Sequence, residues 1–241
     1  MINNFDKVQN EIEIWTQLNH PYIAKLFEMI DDETHDYLYL IIELADMGQI
    51  AVWNFKTEVY ERNQAIFDFV MNHLQTHNGL KDSKPKVEQV AQYLFRQLLA
   101  AIVHLHTRVN VIHRDIKPEN ILFCSQSAEL KLTDFTVARS EIKPGVRLFD
   151  SEGTPCFTAP ECHIVEKDGY DPKPTDIWSI AVCLFTYCNE GRLPFYGESE
   201  LEIQIASRSK ELTIPESFSA DLKEVLTVML NKDPTKRPTA E

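Results

Sequence analysis

VIHRDIKPENILF (111–123) and LKLTDFT (130–136) are the two runs from which the rest of the chain can be read. Each sets polar residues in a loop beside a short apolar stretch of strand length: Asp115, Lys117 and Asn120 in the first, Asp134 in the second. Carboxylate and carboxamide oxygens are hard ligands that suit Mg²⁺. A lysine supplies a positive charge, and a further carboxylate can orient a hydroxyl. Chemistry at a phosphate needs these parts, because the protein's contribution there is positioning and charge stabilisation. Any one of these residues alone would read as a turn-forming Asx residue or a solvated loop charge. The four in one pattern carry the reading.

His113, Arg114, Asp115 and Asn120 fill the pattern H-R-D-x-x-x-x-N, and Asp134 and Phe135 fill the first two places of D-F-G, with Thr136 replacing the glycine. GTPCFTAPE (153–161) is a third signature. On these motifs the sequence resembles the eukaryotic protein kinase superfamily, of the serine/threonine type. The resemblance implies ATP and Mg²⁺ as cofactors and serine or threonine of a protein as the acceptor. It implies that Asp115 takes the acceptor hydroxyl, that Lys117 stabilises the moving group, that Thr154 bridges these two, and that Asn120 and Asp134 hold metal. Arg114 would order the activation segment; Asp150 stands where many kinases carry a phosphothreonine, and its fixed charge could pair with Arg114. For the purine the resemblance implies Glu43 and Ala45 in the hinge, Leu122 as the floor and Ile42 as the gatekeeper, with Asp46 or Gln49 near the ribose. Core packing is the ordinary role of an isolated aliphatic residue such as Ile42 or Leu122. Glu11 resembles the glutamate of the family's C helix, and Trp15, one turn on, falls where an apolar residue stacks on Phe135.

The implied fold is α+β, a two-lobe kinase architecture spanning residues 1–241. Its upper lobe, residues 1–45, is expected to be truncated to the C helix and the fourth and fifth strands; residues 46–241 form a mainly α-helical lower lobe. No glycine precedes Gly48. The glycine-rich loop and the strand lysine that pairs with the C-helix glutamate are therefore expected to be missing, and both ends are expected to be cut. That keeps two alternatives to a kinase open: a pseudokinase or scaffold, and an inactive fragment.

Periodicity supports the same order. Val8, Ile12, Trp15 and Leu18 recur at helical spacing, and two β-rich runs, Tyr22 to Ile30 and Tyr37 to Leu44, are joined by an acidic turn. Between the hinge and the next helix the chain is longer than the family pattern needs. There Val59, Ile66, Phe67, Val70, Met71 and Leu74 predict an inserted amphipathic helix around 53–85, stopped by Gly79 and Pro85. His73 and His77 sit at i,i+4 within it, without a third ligand, so a solvated pair is the expectation. Val87, Ala91, Leu94, Leu98, Ile102 and Leu105 mark a long helix leading into the catalytic loop. Ile177 to Cys188 is apolar nearly all round, as a buried helix is, and Asp176 before it is placed to cap it or, as the resemblance implies, to brace the catalytic loop. Arg237 resembles the arginine that pairs with Glu161.

A formal net charge of −13 argues against a nucleic-acid surface or an anionic membrane as the main partner and is compatible with basic peptides. No apolar run is long enough to span a bilayer and no signal layout opens the chain, so a cytoplasmic location is expected. Five cysteines without C-x-x-C spacing indicate neither a disulfide framework nor a zinc site. Residues 20–44 resemble the calcium/calmodulin-dependent protein kinase kinase group, which implies another kinase as a substrate and a calmodulin-type regulator acting outside this chain.

Overall fold

The computed structural model describes residues 4–32, 37–77, 86–163 and 167–241. Helix α1 (Asn4–Thr16) is followed by an antiparallel hairpin, β1 (Leu26–Asp32) and β2 (Tyr37–Ile42). The acidic turn between them, the Gly79 and Pro85 stop signals, and residues 164–166 lie outside the described residues. Short strand β3 (Gly48–Gln49) pairs with β6 (Ile121–Cys124), which pairs with β7 (Glu129–Leu132) to give a three-stranded sheet in the order β3-β6-β7. A second hairpin joins β4 (Ala51–Asn54) to β5 (Val59–Arg62), and α2 (Gln64–His77) and α3 (Lys86–Thr107) follow it. The remainder is helical: α4 (Lys173–Cys188), α5 (Glu200–Ser209) and α6 (Ala220–Met229). The architecture is α+β, with a small part made of α1, β1 and β2 and a larger, mainly helical part.

Two helices form the axis of the larger part. The stripe Leu94, Leu98, Ile102 and Leu105 of α3 is fully buried, and α4 is buried on every side from Thr175 to Cys188. Such a helix has no polar face to give to water, so it sits inside the lobe. The upper elements are fastened to this core at β7. Ala24 donates to the Leu132 carbonyl and Leu132 donates to Tyr22, at 2.9 Å each.

The stretch expected as one inserted helix around 53–85 divides in two. Val59 lies in strand β5, and helix is confined among the described residues to Gln64–His77. Local chemistry explains the division. The Asn54 side chain accepts from the Lys56 amide at 2.8 Å, and Glu58 takes a positive φ of 53°, so the chain turns back on itself. Asn63 then opens α2, its carboxamide oxygen accepting from Ala65 and Ile66 at 3.1 and 3.3 Å. The Asp176 cap is also corrected: α4 starts at Lys173, with Pro174 in its first turn, and Asp176 lies inside the helix. All five cysteines are unpaired. No helix among the described residues is long and apolar enough to cross a membrane.

Candidate active site

The loop between α3 and β6 is set by one buried carboxylate. Asp176 is inaccessible to solvent, and its oxygens accept from the backbone amides of His113 (3.0 Å) and Arg114 (2.9 Å) and pair with His106 Nε2 (2.8 Å). Burial works against its charge. The bond from His106, the charges of His106 and His113 and the His113 amide outweigh that, and the carboxyl is held below the usual range. Arg114 can then adopt its positive φ of 69°. Gly153 approaches so closely that a Cβ there would stand 2.4 Å from the Arg114 carbonyl oxygen, so only glycine fits.

On this frame Asp115, Lys117, Asn120 and Thr154 meet. Lys117 Nζ lies 2.6 Å from Asp115 Oδ2 and donates to Thr154 Oγ1 at 3.0 Å. Thr154 donates its hydroxyl (2.8 Å) and its amide (2.9 Å) to Asp115 Oδ1. Asn120 Nδ2 donates to the Asp115 carbonyl at 2.8 Å, which leaves its Oδ1 as the available acceptor. Asp134 has a φ of 67° and accepts from the Thr136 amide at 3.2 Å on Oδ1.

These oxygens fit a magnesium ion better than a metal held by protein alone. Mg²⁺ is ordinarily bound through one or two protein oxygens, with phosphates and waters completing the octahedron. Asn120 Oδ1 and the Asp134 carboxylate supply that number, and among the described residues no group of three or more His, Cys, Asp or Glu forms a metal site. His73 and His77 are stacked 4.5 Å apart without such a group.

Phe135 is fully buried, 5.5 Å from Trp15 and 5.1 Å from His113 between ring centroids, so the expected stacking is present. Thr136, where the motif has glycine, does not take a positive φ; the left-handed residue of this loop is Asp134. The threonine hydroxyl instead donates to Glu11 Oε2 at 3.1 Å. Partial burial pushes the Glu11 carboxyl upward, and the Asp134 charge adds to it against the opposing bonds from Thr136 and Phe135. Sequence reasoning missed this contact because it looked for a lysine as the partner of Glu11.

The residues expected at the hinge have partners of their own. The Glu43 amide donates to the Lys25 carbonyl at 2.8 Å, and its carboxylate pairs with Lys131 at 2.8 Å. Lys131 is buried, donates to the Pro21 carbonyl at 2.6 Å, and also pairs with Glu129. Ala45 accepts from Gly48 at 3.1 Å, and Leu122 is half-buried in β6, opposite Gln49. The Asp46 carboxylate is taken by the Ser125 amide at 2.7 Å and by the Ser125 hydroxyl. Ile42 is exposed.

The activation segment is tied at one carboxylate. Arg114 lies 3.0 Å and Arg139 lies 3.3 Å from Asp150, and Tyr170 donates to the Asp150 carbonyl at 2.8 Å. Burial raises the Asp150 pKa, but the two guanidinium groups, Arg114 first, hold it below its ordinary value. Arg139 carried no motif signal. Farther off, Arg237 forms a bidentate pair with Glu161 at 2.6 and 2.8 Å, over the face of Trp178.

Comparison with known proteins identifies the family. The protein kinase domain family model matches residues 2–241. An SNF-related serine/threonine-protein kinase of Homo sapiens is 34% identical over 231 residues, covering 96% of this chain and 26% of that protein. CBL-interacting protein kinase 26 of Oryza sativa subsp. japonica is 34% identical over 234 residues (96% and 40%), and CBL-interacting serine/threonine-protein kinase 14 of Arabidopsis thaliana is 31% identical over 237 (97% and 46%). The chain thus spans between a quarter and a half of the length of these relatives. With a family model covering almost every residue and the catalytic motifs assembled in space, the chain belongs to the protein kinase domain family.

Proposed function

We propose that this domain phosphorylates serine or threonine side chains of protein substrates, using ATP and Mg²⁺. The observation that carries the reading is the closed set of bonds among Asp115, Lys117 and Thr154, which places a carboxylate oxygen and an ammonium group side by side. Asp115 receives the proton of the acceptor hydroxyl. Lys117, held two residues away, neutralises charge that builds on the transferred group. Asn120 and Asp134 would hold the metal, which would supply positive charge to neutralise the nucleotide phosphates. Glu43 and Ala45 would meet the adenine edge through backbone groups, above Leu122. The short spacing from Asp115 to Lys117 is that of kinases acting on aliphatic hydroxyls. Unpaired cysteines fit a reducing, cytoplasmic setting. Another kinase as substrate, and a calmodulin-type regulator acting outside this chain, complete the proposal.

A second reading has one observation in its favour. Among the described residues Glu11 is engaged by Thr136 and by no lysine, and an Mg·ATP complex would then lack one of its usual cations. On that reading the domain binds proteins without transferring phosphate. The deciding experiment incubates the protein with labelled ATP, Mg²⁺ and a mixture of protein substrates, with product sites located by mass spectrometry. Phosphoserine and phosphothreonine are expected, falling by about 10²- to 10⁴-fold in Asp115→Asn. Absence of transfer while Mg·ATP still fails to shift the thermal midpoint would favour the binding module. Phosphotyrosine as the main product would overturn the acceptor assignment.

A further inference from the structure

The β4–β5 hairpin lies in the stretch that the kinase pattern does not require, yet it is fastened to the catalytic machinery. Tyr60, buried in β5, donates its hydroxyl to Glu119 of the catalytic loop at 3.0 Å, and its ring meets Phe157 edge-on at 5.6 Å, three residues beyond Thr154. Its amide donates to the Gly191 carbonyl at 2.9 Å. A Cβ at Gly191 would stand 1.8 Å from the Tyr60 carbonyl oxygen, so the contact depends on glycine. The hairpin is therefore a rigid wall beside the place where an acceptor segment reaches Asp115.

The outer face of that wall has a definite chemistry. Trp53 packs on Tyr60 at 5.1 Å and lies 6.2 Å from Tyr196, and the two aromatic rings are tilted by 33°. Tyr196 is 40% exposed. Glu58 and Glu198 are near enough that, after burial, their charges raise the Tyr196 pKa together with Cys156. No cation among the described residues pairs with Glu58 or Glu198, whereas Arg62, the basic residue of β5, is turned onto Phe67 and Tyr187. Aromatic faces bordered by unpaired carboxylates attract a cation, above all a flat guanidinium that can stack. The chain's net charge of −13 draws a basic segment toward the same place.

We propose that Trp53, Tyr196 and Glu58 form a docking surface for an arginine-bearing segment of the protein substrate, a specificity element supplied by the hairpin and resting on the protein-substrate reading above. The occupant is set by charge complementarity: a neutral or acidic segment would leave Glu58 and Glu198 unpaired.

The test needs no catalysis. A fluorescein-labelled peptide with serine flanked by arginines is titrated against the protein without nucleotide, beside the same peptide carrying citrulline for each arginine. Trp15 and Trp178 are buried, so quenching of tryptophan emission reports on Trp53. The arginine peptide is expected to quench and to bind at least about tenfold more tightly than the citrulline peptide, an advantage that shrinks as salt is raised. Glu58→Asn keeps a residue suited to the positive φ and should weaken binding about threefold with no change in thermal midpoint. Trp53→Ala should weaken it about tenfold. Equal affinity for the two peptides, or unchanged affinity in Glu58→Asn, overturns the proposal. If the arginine peptide binds as expected but no phosphate is transferred, the docking surface stands and the catalytic reading falls. If transfer proceeds alike on both peptides, the catalytic reading stands and the docking surface falls.

Discussion

The β1–β2 hairpin leaves Phe27, Met29, Tyr37, Tyr39 and Ile41 exposed, whereas the β4–β5 hairpin, no more apolar in composition, buries Ala51 and Tyr60. Both are two-stranded, and a lone hairpin is marginal in water. What separates them is the neighbour. The second hairpin rests on the catalytic loop and on the turn after α4, so alternate residues have a core to enter. Among the described residues nothing comparable covers the outer part of the first, and its apolar residues point to solvent on both faces. Burial of a hairpin is a property of what it packs against more than of what it is made of.

The largest effect that can sharpen this contrast belongs to a residue of neither hairpin. Arg237→Ala leaves Glu161 without its partner in a buried site, and breaking such a pair costs about 3–5 kcal/mol. Urea unfolding should show a loss of that size if the helical part is the cooperative unit. A loss under about 1 kcal/mol would mean that the pair is dispensable.

A smaller effect is expected at Asp150, which is half-exposed, so solvent screening limits its contribution to about 1 kcal/mol. Its folded pKa lies below the ordinary 3.8, so the contribution is present above that value and is lost as the pH falls through the lower, folded one. The stability difference between the wild type and Asp150→Asn should therefore be constant near neutral pH and close in acid. The same variant should lower phosphoryl transfer several-fold, with Ser151→Ala unaffected. A requirement for Ser151 would assign ordering of the segment to phosphorylation.

Tyr60→Phe removes one hydroxyl and keeps the ring, for a loss of about 1 kcal/mol and faster amide exchange in β4 and β5. Exchange no faster than in the wild type would show that the ring contacts alone hold the hairpin. The smallest effect belongs to the exposed strands. Met29→Thr should change stability by less than about 0.5 kcal/mol, and the amides of β1 and β2 should exchange faster than those of β4 and β5. Equal protection of the two hairpins would break the comparison.

The division between sequence and structure runs along the same line. Short-range patterns were legible from residues alone: the order of helices and strands, the long stripe of α3, the apolar circumference of α4, and the closeness of Asp115, Lys117 and Asn120 in one loop. Motif spacing encodes these because each residue's role is tied to a loop of set length. Helix pattern failed at Val59, where the side chain of Asn54 and the left-handed backbone at Glu58 turn the chain before any helix can start. Contacts between residues distant along the chain had no local signal. Thr136 with Glu11, Lys131 with Glu43, Arg139 with Asp150 and Tyr60 with Glu119 each join groups that only packing brings within bonding reach. Asp176 shows both sides at once: its place beside Trp178 was readable, but its choice between capping α4 and bracing the catalytic loop was made by the buried amides of His113 and Arg114, which offered donors where water could not.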